Sequence, residues 1–145
     1  GLRPDALEAA CRRFGPQVLC LTTEAQNPTT ARMPAGRRAE VAALARAFDL
    51  QVIEDDCYTT FAPTLAAIRG LAPERTWFVG SISKTVSAAL RFGWVLCPPG
   101  MGHTGRLTAQ HSFFSLSRPV GDLCLGLLTS GMAATLHQRA NAAFA

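Results

Sequence analysis

Four short apolar runs, QVLCLT, LQVIED, TWFVGS and FGWVLC, alternate with stretches of helical spacing, and this alternation constrains the fold more than any other feature of the sequence. Strand-length runs that are apolar on both sides of the backbone belong in sheets covered on both faces. The pattern therefore predicts an α/β, three-layer structure with a mostly parallel sheet. Before the first run, Pro4-Asp5 followed by Leu7, Ala10, Cys11 and Phe14 at helical spacing gives a short amphipathic helix that stops at Gly15-Pro16. A polar loop, TEAQNPTTARMPAG, and a helix, RRAEVAALARAFDL, with its charges on one face, lead into the second run. The stretch from Cys57 to Leu71 is less regular. The third and fourth runs are only about ten residues apart, too few for a parallel crossover through a helix, so that pair is expected to be antiparallel. From Met101 onward the spacing is helical, RLTAQHSFFSL and then PVGDLCLGLLTSGMAATLHQRANAAFA, with a break at Arg118-Pro119.

With 48% hydrophobic and 17% charged residues, the 145-residue chain has globular composition and enough length to bury a core. Its net charge of +4 rests on dispersed arginines and one lysine, with no basic block of the kind that binds nucleic acid. Five cysteines, odd in number and without a CxxC pair, read as reduced thiols of an intracellular protein. The N-terminus has no apolar signal core, and the most apolar later segment is interrupted by Asp122, His137 and Arg139. A soluble cytoplasmic protein with no membrane partner is expected. His103, His111 and His137 lack metal-ligand spacing and read as core or surface residues, so no metal is expected.

In sheets of this class ligands bind beyond the carboxyl ends of the strands. Three polar clusters fall there: Asn27-Pro28-Thr29 after the first strand, Asp55-Asp56-Cys57-Tyr58 at the second, and Ser81-Ile82-Ser83-Lys84 at the third. Each has a plain reading. Lys84, the single lysine, is in isolation a solvated surface residue. Asp55 and Asp56 suit a helix cap, and Asn27-Pro28 suits a turn. Each also has a chemical reading. Ser81, Ser83 and Arg91 supply the hydroxyls, amides and guanidinium that hold a phosphate dianion. An amine beside such a phosphate, partly desolvated, attacks carbonyls to form a Schiff base. Asp55 can accept from a ring N–H, while Tyr58, the only tyrosine, and Asn27 can bond a ring oxygen.

QNPTTARMP, VIEDDCY and SISKTVSAALRFGW, in this order and spacing, resemble the central part of fold-type I, pyridoxal-phosphate-dependent aminotransferases of class I/II. The resemblance covers nearly the whole chain. It implies that Lys84 is the catalytic residue, binding pyridoxal 5'-phosphate covalently and moving the substrate's α-proton. It further implies that Asp55 pairs with the pyridinium nitrogen, that Tyr58 and Asn27 bond the phenolic oxygen, and that Ser81, Ser83 and Arg91 hold the phosphate. Asp56 is expected to be structural, and Asn27-Pro28 is compatible with a cis peptide. Thr30 stands where the family commonly has glycine, and Ser87-Ala88-Ala89 lacks a proline common before the phosphate arginine.

Residues 1–145 read as part of a large domain, with an N-terminal portion and a C-terminal small domain outside the sequence. The resemblance implies a homodimer, with the SFFSLS run packing near the subunit boundary. Two functions share these groups. One is an aminotransferase acting on an amino acid and a 2-oxo acid. The other is a MocR-type transcription regulator, in which a GntR-kind winged helix binds DNA and the aminotransferase-like domain senses the cofactor or an amino-acid ligand. QNPTTARMP followed by Arg37-Arg38 resembles the regulators slightly more.

Overall fold

The computed structural model describes residues 1–58, 65–112 and 116–144. The centre of the SFFSLS run, and with it the reading of that run as a boundary, lies outside the described residues, as does the side chain of His111. The elements are α1 (Pro4–Phe14), β1 (Val18–Leu21), α2 (Ala35–Ala47), β2 (Gln51–Asp55), α3 (Ile68–Leu71), β3 (Thr76–Ser81), a 3-10 turn (Ala88–Leu90), β4 (Gly93–Leu96), α4 (Gly102–Ser112), α5 (Arg118–Thr129) and α6 (Met132–Phe144).

The four apolar runs form one sheet in the order β1-β2-β3-β4. β1, β2 and β3 are parallel, with Leu21 opposite Glu54 and Asp55 opposite Val79. β4 runs antiparallel to β3, with Gly80 opposite Trp94. The short connection leaves no room for a crossover helix and turns the chain back on itself. Gly80 is required there. A Cβ built on it would collide with the Trp94 indole, so only glycine lets that ring lie across β3.

Helices α1, α2 and α3 cover one face of the sheet. Leu7 and Cys11, Val41, Ala42 and Ala45, and Ile68 and Ala72 meet Leu21, Leu50 and Val52 in the main core. Burial of each large aliphatic side chain in such a core contributes about 1.5–3 kcal/mol. α1 begins with Pro4 and Asp5 in its first turn, carries Arg12 and Arg13 in its last, and ends on Gly15 in the left-handed region (φ 58), whose N–H bonds the Cys11 carbonyl. Strand alternation puts Trp77, Val79 and Ser81 on the opposite face. There α4 approaches, with Gly105 against Cys97 and Trp77.

Two expectations are corrected. The C-terminal pattern from Pro119 is two helices rather than one, because Gly131 adopts φ 76 and α5 and α6 meet at 79°. The charges of the second helix do not share one solvated face. Arg38 is 1% exposed and donates to the Met33, Ala66 and Thr23 carbonyls and to Glu24. It ties the loop after β1 to α2. Among the described residues no single helix is long and apolar enough to cross a membrane.

Candidate cofactor site

β2 and β3 end side by side, so that Asp55, the last residue of β2, lies next to Val79, with Ser81 two residues further along β3. β3 then enters the turn that carries Lys84. Ser81 and Ser83 build this turn. The Ser81 hydroxyl donates to the Phe92 carbonyl at 2.9 Å and accepts from the Ser83 amide at 3.0 Å, and the Ser83 hydroxyl donates to the same carbonyl at 3.4 Å. The Ile82 amide also bonds Phe92, and the Val86 amide closes the turn on the Ile82 carbonyl. Both serine protons are thus committed to the protein, and their oxygens keep lone pairs. An anion bound here would take up these hydroxyls only by rotating them away from Phe92.

A cleft of about 1330 Å³ opens beside the turn. Ser81, Ser83, Lys84 and Arg91 all line it, with Cys57 arriving from the end of β2 and the two tryptophans, Trp77 and Trp94, forming apolar wall. Lys84 and Arg91 are exposed and neither makes a hydrogen bond or ion pair among the described residues. Arg91 has φ 48, a left-handed conformation that a non-glycine residue seldom adopts. The Cys57 thiol is pushed up to about 12, first by burial and then by its hydrogen bond with Asp55 and by the Asp55 and Asp56 charges, against a lowering by Lys84. It stays protonated and is no nucleophile.

The other sequence-predicted residues are placed differently. Asp55 lines a second cleft of about 530 Å³ beside Thr22, Gln26, Thr29 and Arg37, and its Oδ1 accepts from the Cys57 amide at 3.1 Å. Val79 and Cys57, which flank Asp55, line the first cleft, so the two clefts adjoin at this strand end. Asn27 and Tyr58 line neither cleft. Asn27 is exposed and joined to Pro28 by a cis peptide bond, and Tyr58 is 41% exposed. Thr30, in the position of the family's glycine, has φ 55, which explains the family's preference.

Asp56 is turned inward. Its Oδ1 is buried without a hydrogen-bond partner, and burial, with Glu54 and Glu24 nearby, pushes the carboxyl up to about 7 against the pull of Arg38. Beside it, Glu54 is fully buried, accepting from the Thr23 hydroxyl (2.8 Å), the Ile68 amide (3.0 Å) and the Arg69 amide (2.9 Å). Sequence reasoning did not single out Glu54, and an acidic residue inside an apolar strand was the signal that could have found it.

A profile of the aminotransferase class I and II family matches residues 1–140. The chain belongs to this family. Two curated relatives of this aminotransferase-like chain are bacterial regulators. One is the uncharacterized HTH-type transcriptional regulator YdeF of Bacillus subtilis, 33% identical over 98 residues, which are 67% of this chain and 21% of YdeF. The other is the HTH-type pyridoxine biosynthesis transcriptional regulator PdxR of Corynebacterium glutamicum, 29% identical over 125 residues, 84% of this chain and 27% of PdxR. Among solved structures, LysN, the α-aminoadipate aminotransferase of Thermus thermophilus complexed with N-(5'-phosphopyridoxyl)-L-leucine, superposes with a TM-score of 0.83 at 27% identity. That match covers 95% of this chain and 37% of LysN. The chain therefore spans roughly a fifth to a quarter of the regulators' length and about a third of the enzyme's.

The donor set fits the family's cofactor. An amine and a guanidinium, both unengaged among the described residues, and two serine oxygens share one cleft, and a carboxylate stands at the adjoining strand end. These are the partners that an aldehyde, a phosphate and a protonated ring nitrogen call for.

Proposed function

We propose that this chain is the pyridoxal-phosphate-binding domain of a MocR-type transcription regulator, and that it senses the cofactor or an amino-acid ligand instead of serving turnover. The observation that supports cofactor binding is the convergence of Lys84, Ser81, Ser83 and Arg91 on one cleft. The regulator reading is favoured because its curated relatives are HTH-type regulators, one of them a regulator of pyridoxine biosynthesis.

When bound, pyridoxal phosphate supplies an aldehyde carbon and a ring that draws electron density from groups attached to it. In this reading Arg91 and the two serines orient the phosphate, and Lys84 holds the cofactor covalently through its amine. Asp55 keeps a proton on the ring nitrogen, and Asn27 and Tyr58 bond the ring oxygen. The full protein is a homodimer that binds DNA through a region outside these residues and takes an amino acid or 2-oxo acid as its small-molecule ligand.

The test is a mobility-shift titration of the full regulator on the DNA upstream of its own gene, with and without pyridoxal phosphate. A change in DNA affinity on adding the cofactor, with negligible amino-group transfer, is expected. Cofactor-indifferent DNA binding together with steady transamination would overturn the regulator reading in favour of an enzyme, the reading that the likeness to LysN supports.

A further inference from the structure

The turn that carries Lys84 is held from two sides. From the sheet side, Ser81 and Phe92 fix its start, and the Thr85 hydroxyl reaches back to the Ser81 carbonyl at 3.4 Å. From the other side comes a residue 52 positions downstream. His137, on α6, is 9% exposed, and its Nδ1 lies 3.1 Å from the Thr85 carbonyl. A carbonyl only accepts, so Nδ1 carries the proton and donates.

The location of this bond gives it meaning. The peptide unit between Thr85 and Val86 is gripped at both ends, its N–H by the Ile82 carbonyl at 2.9 Å and its C=O by His137. Fixing that plane fixes the backbone one residue from Lys84. Ile82 is fully buried and Thr85 is 7% exposed, so water does not readily replace a lost donor at this carbonyl. Lys84 itself is exposed and makes no hydrogen bond or ion pair among the described residues. With no polar contact holding it among the described residues, the backbone beneath it fixes the point and the starting direction from which the amine reaches into the cleft.

We infer that His137 is a positioning residue for Lys84, holding the site turn against α6 so that the amine faces the cleft. This rests on the reading of Lys84 as the cofactor's attachment point.

The experiment compares wild type with H137L, which removes the donor, and H137N, whose side-chain amide nitrogen replaces Nδ1. Capture of pyridoxal phosphate by Lys84 is followed by borohydride trapping and peptide mapping. Affinity for pyridoxine 5'-phosphate, which has no aldehyde, reports the rest of the pocket. H137L is expected to capture the cofactor at least about tenfold more slowly, because a misplaced amine loses its near-attack geometry. Its affinity for pyridoxine 5'-phosphate should stay within about twofold, since Ser81 and Ser83 keep their own hydrogen bonds to each other and to the Phe92 carbonyl, which His137 does not supply. H137N is expected to recover most of the wild-type rate.

Amide exchange at Val86 and Ser87, measured without cofactor, should rise in H137L and fall back in H137N. That measurement separates the two ideas. If wild type captures no pyridoxal phosphate on Lys84, the cofactor reading fails, while faster exchange in H137L still supports the positioning role. Wild-type capture rate and wild-type exchange in H137L would overturn the inference, as would equal loss of capture and of pyridoxine 5'-phosphate affinity. Should H137L fail to fold, H137Q takes its place, since its longer side chain displaces the donor. Wild-type rates in both H137N and H137Q would then overturn the inference.

Discussion

Replacing Asp56 by asparagine is expected to stabilise the protein at neutral and alkaline pH while changing little near pH 4. In the folded state the carboxyl has a buried Oδ1 without a partner, and burial, then the charges of Glu54, Glu24 and Asp55, raise it from 3.8 to about 7 against the pull of Arg38. The sign follows from proton binding. Below about pH 4 both folded and unfolded chains hold this proton, and Asp56 imposes no penalty. Between there and about 7 the unfolded chain releases the proton while the folded chain keeps it, so stability falls as pH rises. Above that range the folded carboxylate is charged, and the penalty is complete. For a fully buried group the ceiling would be about 4 kcal/mol, and solvent screening of this partly buried side chain lowers it to about 1–2 kcal/mol. Paired urea denaturation of wild type and D56N at about pH 4 and about pH 8 reads this directly. The reasoning is refuted if the difference between the two proteins is the same at both pH values, or if D56N is the less stable at the higher one.

Glu54→Gln should cost about 2–4 kcal/mol, because the new NH₂ must face an N–H or O–H donor at one of three buried hydrogen bonds; thermal unfolding of E54Q measures it. Thr30→Gly should stabilise by about 1 kcal/mol, since a β-branched residue at φ 55 is strained and the family's glycine is not; the midpoint of urea denaturation should rise without a change in slope.

The sheet was readable because each strand is a short apolar run bounded by polar or turn residues, even though Val18 and Cys20 of β1 and Val95 and Leu96 of β4 are exposed here; the antiparallel β4 followed from the shortness of its connection. The polar clusters were readable for a related reason. Side chains at the carboxyl ends of buried strands are the ones free to be polar, and Lys84, Ser81, Ser83 and Arg91 indeed line one cleft. Long-range partnerships were not readable. Arg38 looks like any helix-surface arginine until the loop after β1 folds over it, and His137 acquires its role only when α6 reaches the turn at Thr85. The break at Gly131 was masked by apolar residues on either side, although Ser130-Gly131 is a turn signal in its own right. Asn27 and Tyr58 show a further gap. Sequence order places them at the strand ends, but their side chains lie outside both clefts.

Lys84 is proposed as the residue to which pyridoxal phosphate attaches. The direct measurement is borohydride reduction of the cofactor-loaded protein, followed by peptide mapping and by the visible spectrum of the Lys84→Ala variant. A phosphopyridoxyl group on the peptide containing Lys84, and loss of the lysine-linked absorbance in K84A, is the expected result. A phosphopyridoxyl group on another residue, or an unchanged lysine-linked chromophore in K84A, would contradict it.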